Sequence, residues 1–171
     1  HSTSLALVST LRQDLAEIVA RKGALLAAEP VVVSELHLDE YGKRAWLEAL
    51  SVSNGYVEYG SGGSTLLAAR LGTPFVSVDN VPAFYDTILT ECASVPSNRG
   101  RILYADTGSV VAWGYPRFRT PTKDRRRRWS RYAEAPWSQR AIDFQVNTAL
   151  LDGRFRVACL VTLSSKFHPP I

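Results

Sequence analysis

The sequence predicts an α/β protein: a three-layer sandwich in which helices cover both faces of a mostly parallel central sheet. Two observations carry this prediction. Short β-rich apolar runs alternate with helix-forming runs from residue 55 onward, and strands separated by helices are joined by crossovers that make them parallel. The chain also has 171 residues, of which 46% are hydrophobic and 21% charged, a composition typical of a globular domain that buries one core.

Two amphipathic helices are predicted before the first strand. Apolar residues recur at spacings of three, four and seven within residues 3–28, and residues 39–50 show a shorter version of the same pattern. We expect Trp46, Leu47 and Leu50 to point into the core from the second helix.

Strands and helices then alternate along the chain. Pro82 lies at the first turn of one of these helices, where its missing N–H costs nothing. The predicted strands are 55–59, 74–78, 101–105 and 149–151, and the predicted helices are 64–71, 81–93 and 154–164.

The alternation fails between strands three and four, from Asp106 to Ala141. This segment is rich in aromatic residues and prolines and contains the run "KDRRRRWSR". It is too long for a tight connection and too aromatic for a disordered linker, and long ordered loops in α/β domains usually serve as lids or binding loops. We expect a substrate lid over the ligand cleft, with a subunit interface as the alternative.

The basic run also raises the question of nucleic-acid binding. Residues 117–131 contain eight Lys or Arg and only one acidic residue, an Asp, whereas the whole chain has a net charge of +4. Basic clusters with aromatic neighbours can follow a phosphate backbone. A charge run is usually a solvated surface, however, and this one is compact with no base-reading module around it. A nucleic acid is therefore the weaker functional interpretation, and an acidic or phosphorylated small substrate is somewhat better.

The stretch "VEYGSGGST", residues 57–65, is the strongest local signal. Its glycines follow the first strand, Asp79 closes the second strand 19 residues after Gly60, and Asp106 closes the third. Ligands of open parallel sheets bind past the carboxyl ends of the strands, where glycines permit close approach and an acid can accept hydrogen bonds from ribose hydroxyls. These positions predict a nucleoside-containing cofactor.

Two details select the cofactor. A dinucleotide loop of the form G-x-G-x-x-G needs a third glycine, and Thr65 stands in its place. Glu58 immediately precedes the loop, where a carboxylate would repel phosphates but attract a cation. S-adenosylmethionine carries a sulfonium and an ammonium group and no phosphate, and its carboxylate can use the free N–H groups at the start of the helix that begins near Ser64.

In these motifs the chain resembles the class I S-adenosylmethionine-dependent methyltransferases. "VEYGSGGST" and the following "VSVDN" are similar to their cofactor motifs, and "LLDGRFRVAC" resembles the fourth-strand motif of an uncharacterised bacterial branch in which "WGYP" also recurs. The match covers roughly residues 55–165. The resemblance implies a seven-stranded Rossmann-like sheet and S-adenosylmethionine as cofactor, with S-adenosylhomocysteine as product, but it does not specify a substrate. Our interpretation is methyl transfer to a small polar or anionic acceptor.

The predicted site combines both lines of reasoning. The cofactor-binding residues are expected to be Glu58, Gly60, Ser61, Gly62, Gly63, Ser64, Thr65, Asp79, Asn80 and Asp106. The residues expected to contact the acceptor are Trp113, Tyr115 and Arg154.

Asp152, past the fourth strand, is the candidate catalytic residue, and three roles stay open for it. It could be a general base for a hydroxyl or amine acceptor, one ligand of a Mg²⁺ ion, as the resemblance allows, or simply the cap of the turn before Gly153. His37 and His168 support neither a metal site nor a catalytic triad, and no G-x-S-x-G motif is present for a serine hydrolase.

We expect one methyltransferase-like domain over residues 1–171. Its parts are N-terminal helices in 1–54, a cofactor-binding half in 55–106, the lid or insertion in 107–141, and the fourth strand with its helix in 142–171, after which the last strands of the fold are expected to be missing. Cys92 and Cys159 form no disulfide framework and no apolar run is long enough to span a membrane, so a cytoplasmic location is predicted, with a homodimer as an open alternative. An NAD-dependent oxidoreductase and a non-catalytic cofactor-binding protein remain the rival functions.

Overall fold

Four parallel strands form the centre of the protein. The computed structural model describes residues 36, 38–138 and 140–166, and labels below number the elements within those ranges. The strands are β1 (Tyr56–Tyr59), β2 (Phe75–Asp79), β3 (Gly100–Tyr104) and β4 (Thr148–Leu151). Their order in the sheet is β3-β2-β1-β4, and every neighbouring pair is parallel.

Helices cover both faces of this sheet. They are α1 (Glu40–Ser51), α2 (Gly63–Leu71), α3 (Pro82–Ala93), α4 (Lys123–Ser138) and α5 (Arg156–Lys166), and a 3₁₀ turn spans Ala112–Gly114. The predicted three-layer α/β sandwich is therefore confirmed. The predicted elements of residues 38–166 agree with the observed ones to within two residues, apart from α4, whereas the helix predicted for residues 3–28 lies outside the described residues.

Alternating side chains of the strands build a separate core on each face. Tyr56 and Phe75 pack among the first three helices with Leu66 and Ile88. Val57, Tyr59 and Val78 pack on the other face against α4 and α5. All four residues of β1 are buried, as expected for the central strand of a sheet that is covered on both sides.

Helix α1 shows which face of an amphipathic helix is buried. Asp39 caps its first turn by accepting the Gly42 N–H at 2.6 Å. Trp46 and Leu50 are buried as predicted, whereas Leu47 is 44% exposed. The expectation for Leu47 was wrong because its side chain points about 100° around the helix from that of Trp46.

The segment predicted as a lid divides into two parts of different kinds. Its second part is α4, whose Tyr132, Ala133 and Ala135 are buried in the core. The Tyr59 hydroxyl donates to the Ala133 carbonyl at 2.7 Å, which ties the helix to β1. The buried part of α4, together with Trp137, which packs beside this core, therefore belongs to the crossover helix that the alternation requires and is not a lid. The lid stays a prediction for residues 107–122 and for the exposed first turns of α4.

Within the described ranges, none of the helices combines the length and the apolar character that a transmembrane span requires.

We expect Leu50→Ala to lower the free energy of unfolding by about 2–5 kcal/mol, because the side chain is 2% exposed and its loss leaves a cavity. Leu47→Ala, one turn earlier on the same helix, is the matched control and should cost less than about 1 kcal/mol. Urea unfolding monitored by circular dichroism measures both values. Equal losses in the two variants would mean that the orientation of α1 is wrong.

Candidate functional site

Four loops meet at the carboxyl edge of the sheet. Strands β2 and β3 lie on one side of β1, and β4 lies on the other. Strand order thus reverses between β1 and β4, which is where open α/β sheets bind their ligands. Glu58 and Asp79 lie in strands β1 and β2, and Gly63, Ser64 and Thr65 lie in the first turn of α2. All of the other predicted site residues lie in the loops that follow the four strands.

Glu58, on β1, is enclosed beneath the glycine loop. Its carboxylate is fully buried and accepts hydrogen bonds from the hydroxyls of Ser64 and Thr65 in the first turn of α2. The Ser77 hydroxyl, directly opposite on β2, donates to Oε2 at 2.9 Å. Burial raises the pKa of Glu58 from 4.5 to about 7, and the hydroxyl hydrogen bonds partly oppose that rise. Glu58 therefore anchors the loop from below and presents no free carboxylate oxygen to solvent.

Asp79, at the end of β2, connects two of the loops. One carboxylate oxygen accepts the Ser61 N–H at 2.9 Å, and the other accepts the Val81 N–H at 2.7 Å. The residue is 7% exposed, and burial raises its pKa while these N–H donors lower it. Each oxygen retains a second lone pair, so the carboxylate can hold the loops and still accept a hydrogen bond from a ligand.

The glycines of the loop differ in what requires them. Gly60 has a φ of +99°, and a Cβ there would lie 2.6 Å from the Gly153 nitrogen, in the loop after β4. Gly62 has no described atom within 4 Å of the corresponding position. Gly60 is thus needed for the contact between the loops after β1 and β4, whereas Gly62 leaves open space above the N-terminus of α2.

The loop after β3 is fastened to the end of β2 by Asn80. Its Nδ2 donates to the Thr107 hydroxyl at 2.9 Å and to the Gly114 carbonyl at 3.0 Å, which uses both of its N–H groups. Trp113 precedes Gly114 with a φ of +61° and is 79% exposed. Such a backbone costs on the order of 1–3 kcal/mol for a non-glycine residue, and the hydrogen bond from Asn80 to the neighbouring Gly114 helps to hold the turn in this conformation.

Arg154, from the loop after β4, joins this turn. Its guanidinium lies 4.2 Å from the centre of the Tyr115 ring, in cation–π geometry. The predicted acceptor residues Tyr115 and Arg154 are therefore in contact, although they come from loops after different strands. Trp113 lies two residues before Tyr115 in the same turn.

Two predicted acids are exposed and paired with arginines. Asp152 lies 2.9 Å from Arg156, four residues along the chain. Asp106 accepts the Gly108 N–H at 2.8 Å and lies 3.8 Å from Arg128. Within the part of the chain that the structure describes, no group of three or more His, Cys, Asp or Glu residues could hold a metal ion.

Four structural contributors were absent from the predicted set: Ser77, Thr107, Tyr132 and Gly153. Ser77 is signalled by a hydroxyl between the two valines of the strand "FVSVD", where it needs a buried partner, here Glu58. The Tyr132 hydroxyl donates to the Val78 carbonyl at 3.3 Å. A Cβ on Gly153 would lie 2.1 Å from that hydroxyl oxygen, so Gly153 is also required for packing.

The buried acid predicts a pH-dependent stability. The pKa of Glu58 is about 7 in the folded protein against its ordinary 4.5, so the folded state holds a proton over a range in which the unfolded chain has lost it. The contribution of Glu58 to folding stability should be fully present below pH 4.5, should fall as the pH rises to about 7, and should then level off. For a shift of this size the loss is on the order of 3 kcal/mol.

Urea unfolding from pH 4.5 to 8 of the wild type and Glu58→Gln measures this contribution. Asp79, whose raised pKa acts in the same direction, is common to both proteins, so their difference isolates Glu58. Glu48→Gln, at an exposed position of α1, is the control for removing a carboxylate. Parallel curves for the wild type and Glu58→Gln would contradict the burial of Glu58.

The glycines give a second prediction. Gly60→Ala should lower the free energy of unfolding by at least about 2 kcal/mol, because it combines a left-handed φ with a collision against the Gly153 backbone. Gly62→Ala should leave stability within about 0.5 kcal/mol, since its Cβ meets open space. Thermal and urea unfolding compare the two, and similar losses would show that the loop is placed differently.

The comparisons with known proteins give one informative result. No protein-family model and no curated protein matches the chain. The chain is similar to the crystal structure of a methyltransferase-like protein from Silicibacter pomeroyi, with a TM-score of 0.65 and 30% sequence identity. The similarity covers 75% of this chain and 66% of that one, so the chain spans slightly less than two thirds of the length of that relative. The chain thus has a methyltransferase-like fold.

Proposed function

We propose that the protein is an S-adenosylmethionine-dependent methyltransferase that acts on a small polar or anionic acceptor. The observation that carries this proposal is the position of Glu58, a carboxylate enclosed directly beneath the Gly60–Gly63 loop. An acid at this place opposes bound phosphates and favours a bound cation. A nearby cation would also stabilise the charged form of Glu58 against the burial that raises its pKa to about 7.

The residues of the carboxyl edge fit the parts of this cofactor. The open space above Gly62 allows a ligand to approach the backbone, and the first N–H groups of α2, at Gly63 and Ser64, suit its carboxylate. Asp79 would accept hydrogen bonds from the ribose hydroxyls through its remaining lone pairs, and Asp106 would accept one from the adenine amine.

The other predicted cofactor residues would act through the loops. Ser61 is fixed by its N–H bond to Asp79, and its hydroxyl lies 2.7 Å from that of Ser77. Thr65 accepts the Gly62 N–H at 2.9 Å while donating to Glu58. Asn80 has used both N–H groups on Thr107 and Gly114. These side chains would position the backbone that meets the cofactor.

Bound S-adenosylmethionine would supply a methyl group that is already activated by the sulfonium. The protein then has mainly to orient an acceptor in line with it and to exclude water. Tyr115, stacked with Arg154, and the exposed Trp113 would form the wall against which the acceptor is held. Asp152 would accept a proton from the acceptor only after its pairing with Arg156 loosens.

The rival functions make different binding predictions. Calorimetric titration with S-adenosylhomocysteine and with NAD should show binding of the first compound only. Asp79→Asn should weaken that binding by about 1–3 kcal/mol, the scale of a hydrogen bond to a charged group. Gly62→Ala should weaken it as well, because its methyl group would enter the space assigned to the ligand.

Asp86→Asn is the matched control, since Asp86 is an exposed acid on α3 outside the site. Asp79 holds two backbone N–H groups, so each variant is first compared with the wild type by thermal unfolding. NAD binding without binding of S-adenosylhomocysteine would replace the proposal by the oxidoreductase. Cofactor binding without methyl transfer across a broad acceptor screen would favour the non-catalytic protein.

A further inference from the structure

A cleft of about 290 Å³ opens between the loop after β3 and the first two turns of α4. Thr107, Phe118, Thr122, Arg125, Arg128 and Trp129 are among its lining residues. Its inner end adjoins the candidate cofactor site, because Thr107 follows Asp106 directly and is held by Asn80 at 2.9 Å. The volume is at the lower limit for small-molecule sites, so the cleft suits a ligand of one ring with its substituents.

Two arginines give this cleft its chemical character. The Arg125 guanidinium donates to the Thr120 carbonyl at 2.9 Å and lies 5.0 Å from the centre of the Phe118 ring. These contacts fix the group and leave other N–H donors free to bind a ligand. Arg128 lies 3.8 Å from Asp106, beyond hydrogen-bond distance. A guanidinium matches carboxylate and phosphate groups through paired N–H donors.

The remaining walls of the cleft are aromatic. Phe118 is 57% exposed although it is a large apolar residue. Trp129 is half-buried and stacks on Phe155 with ring centres 5.9 Å apart, which fixes its orientation. Asp124 is the one acid among the cleft-lining residues, against the two arginines, and Asp106 lies just outside that lining, 3.8 Å from Arg128. The lining itself thus carries one more positive than negative charge beside its aromatic side chains.

We propose that this cleft binds the carboxylate or phosphate group of a small aromatic acid through Arg125 and Arg128, with the ring of the acid against Phe118 and Trp129. The inference rests on the proposed function only in taking that acid to be the methyl acceptor. Charge recognition by the cleft can be measured without any cofactor.

Calorimetric titrations with 4-hydroxybenzoate, phenyl phosphate and the uncharged 4-hydroxybenzamide test the proposal at a fixed ionic strength of about 0.15 M, where diffuse attraction is screened. The wild type should bind at least one of the anions about tenfold more tightly than the amide. Arg125→Gln and Arg128→Gln should each weaken that anion about tenfold and leave the amide unchanged. Equal binding of anions and amide, or no anion binding, would overturn the proposal.

Arg126→Gln and Arg127→Gln are matched controls, because they remove the same charge from exposed positions on the same helix outside the cleft lining. They should leave anion binding unchanged. If they weaken it as much as the cleft variants do, the attraction is diffuse and the cleft proposal fails. A single-stranded oligonucleotide that binds more tightly than the small anions, and is weakened equally by all four variants, would instead identify a nucleic-acid surface.

A parallel titration with S-adenosylhomocysteine separates this inference from the proposed function. If the wild type binds the anion but does not bind S-adenosylhomocysteine, the proposed methyltransferase function is refuted and the cleft proposal stands. Normal cofactor binding with no arginine-dependent anion binding would refute the cleft alone. Circular dichroism melting should show all four variants folded like the wild type, since the side-chain contacts they remove, the Arg125 bond to the Thr120 carbonyl and the ion pair of Arg128 with Asp106, lie at the exposed surface.

Discussion

The buried carboxylate of Glu58 is the interaction on which the site depends. A charged group without partners inside a protein is strongly unfavourable, and here hydroxyls from α2 and β2 surround it. The same hydrogen bonds draw the first turn of α2 down onto the sheet. The glycine loop therefore has to cross directly above the acid, and Asp79 holds its far side by accepting the Ser61 N–H.

A second constraint acts where the strand order reverses. The loops after β1 and β4 approach so closely that neither Gly60 nor Gly153 has room for a side chain. The Tyr132 hydroxyl, bonded to Val78, lies against the same point from α4. Because Arg154 follows Gly153, this contact also determines where the Tyr115 stack forms. The acceptor side and the cofactor side of the site are thus built around one backbone contact.

The sequence predicted the fold more fully than the site. Strands and most helices were recognisable because apolar runs and glycines mark their bounds locally. Helix α4 was not recognised, although Trp129, Tyr132, Ala133 and Trp137 repeat at helical spacing, because the arginine run and Pro136 suggested a loop. In the folded protein the apolar face of its second half packs into the core, and this burial stabilises a helix despite the arginine run and the proline.

What sequence reasoning could not predict about the site is the choice of partners. The residues beside Glu58 follow from the register that places Ser77 opposite it and from the direction of α2. The role of Gly60 likewise depends on a loop that lies more than 90 residues later in the chain. Local patterns indicate which residues are available at a strand end, whereas three-dimensional proximity decides which of them meet.

Opposite charges lie at neighbouring places on the same edge of the sheet. The acids Glu58 and Asp79 are buried beneath and beside the glycine loop, whereas Arg125 and Arg128 line the cleft after β3. Under the two proposals above, a cationic ligand would be bound over the first region and an anionic one in the second. If S-adenosylmethionine binds at the glycine loop, each ligand is attracted by the protein. The positive charge of the cofactor and the negative charge of the acceptor also attract each other. Asp106 and Arg128, which lie 3.8 Å apart where the two regions meet, partly pair these unlike charges with each other. Each ligand would then weaken that pairing and expose a partner for the other, so the two should bind with positive coupling.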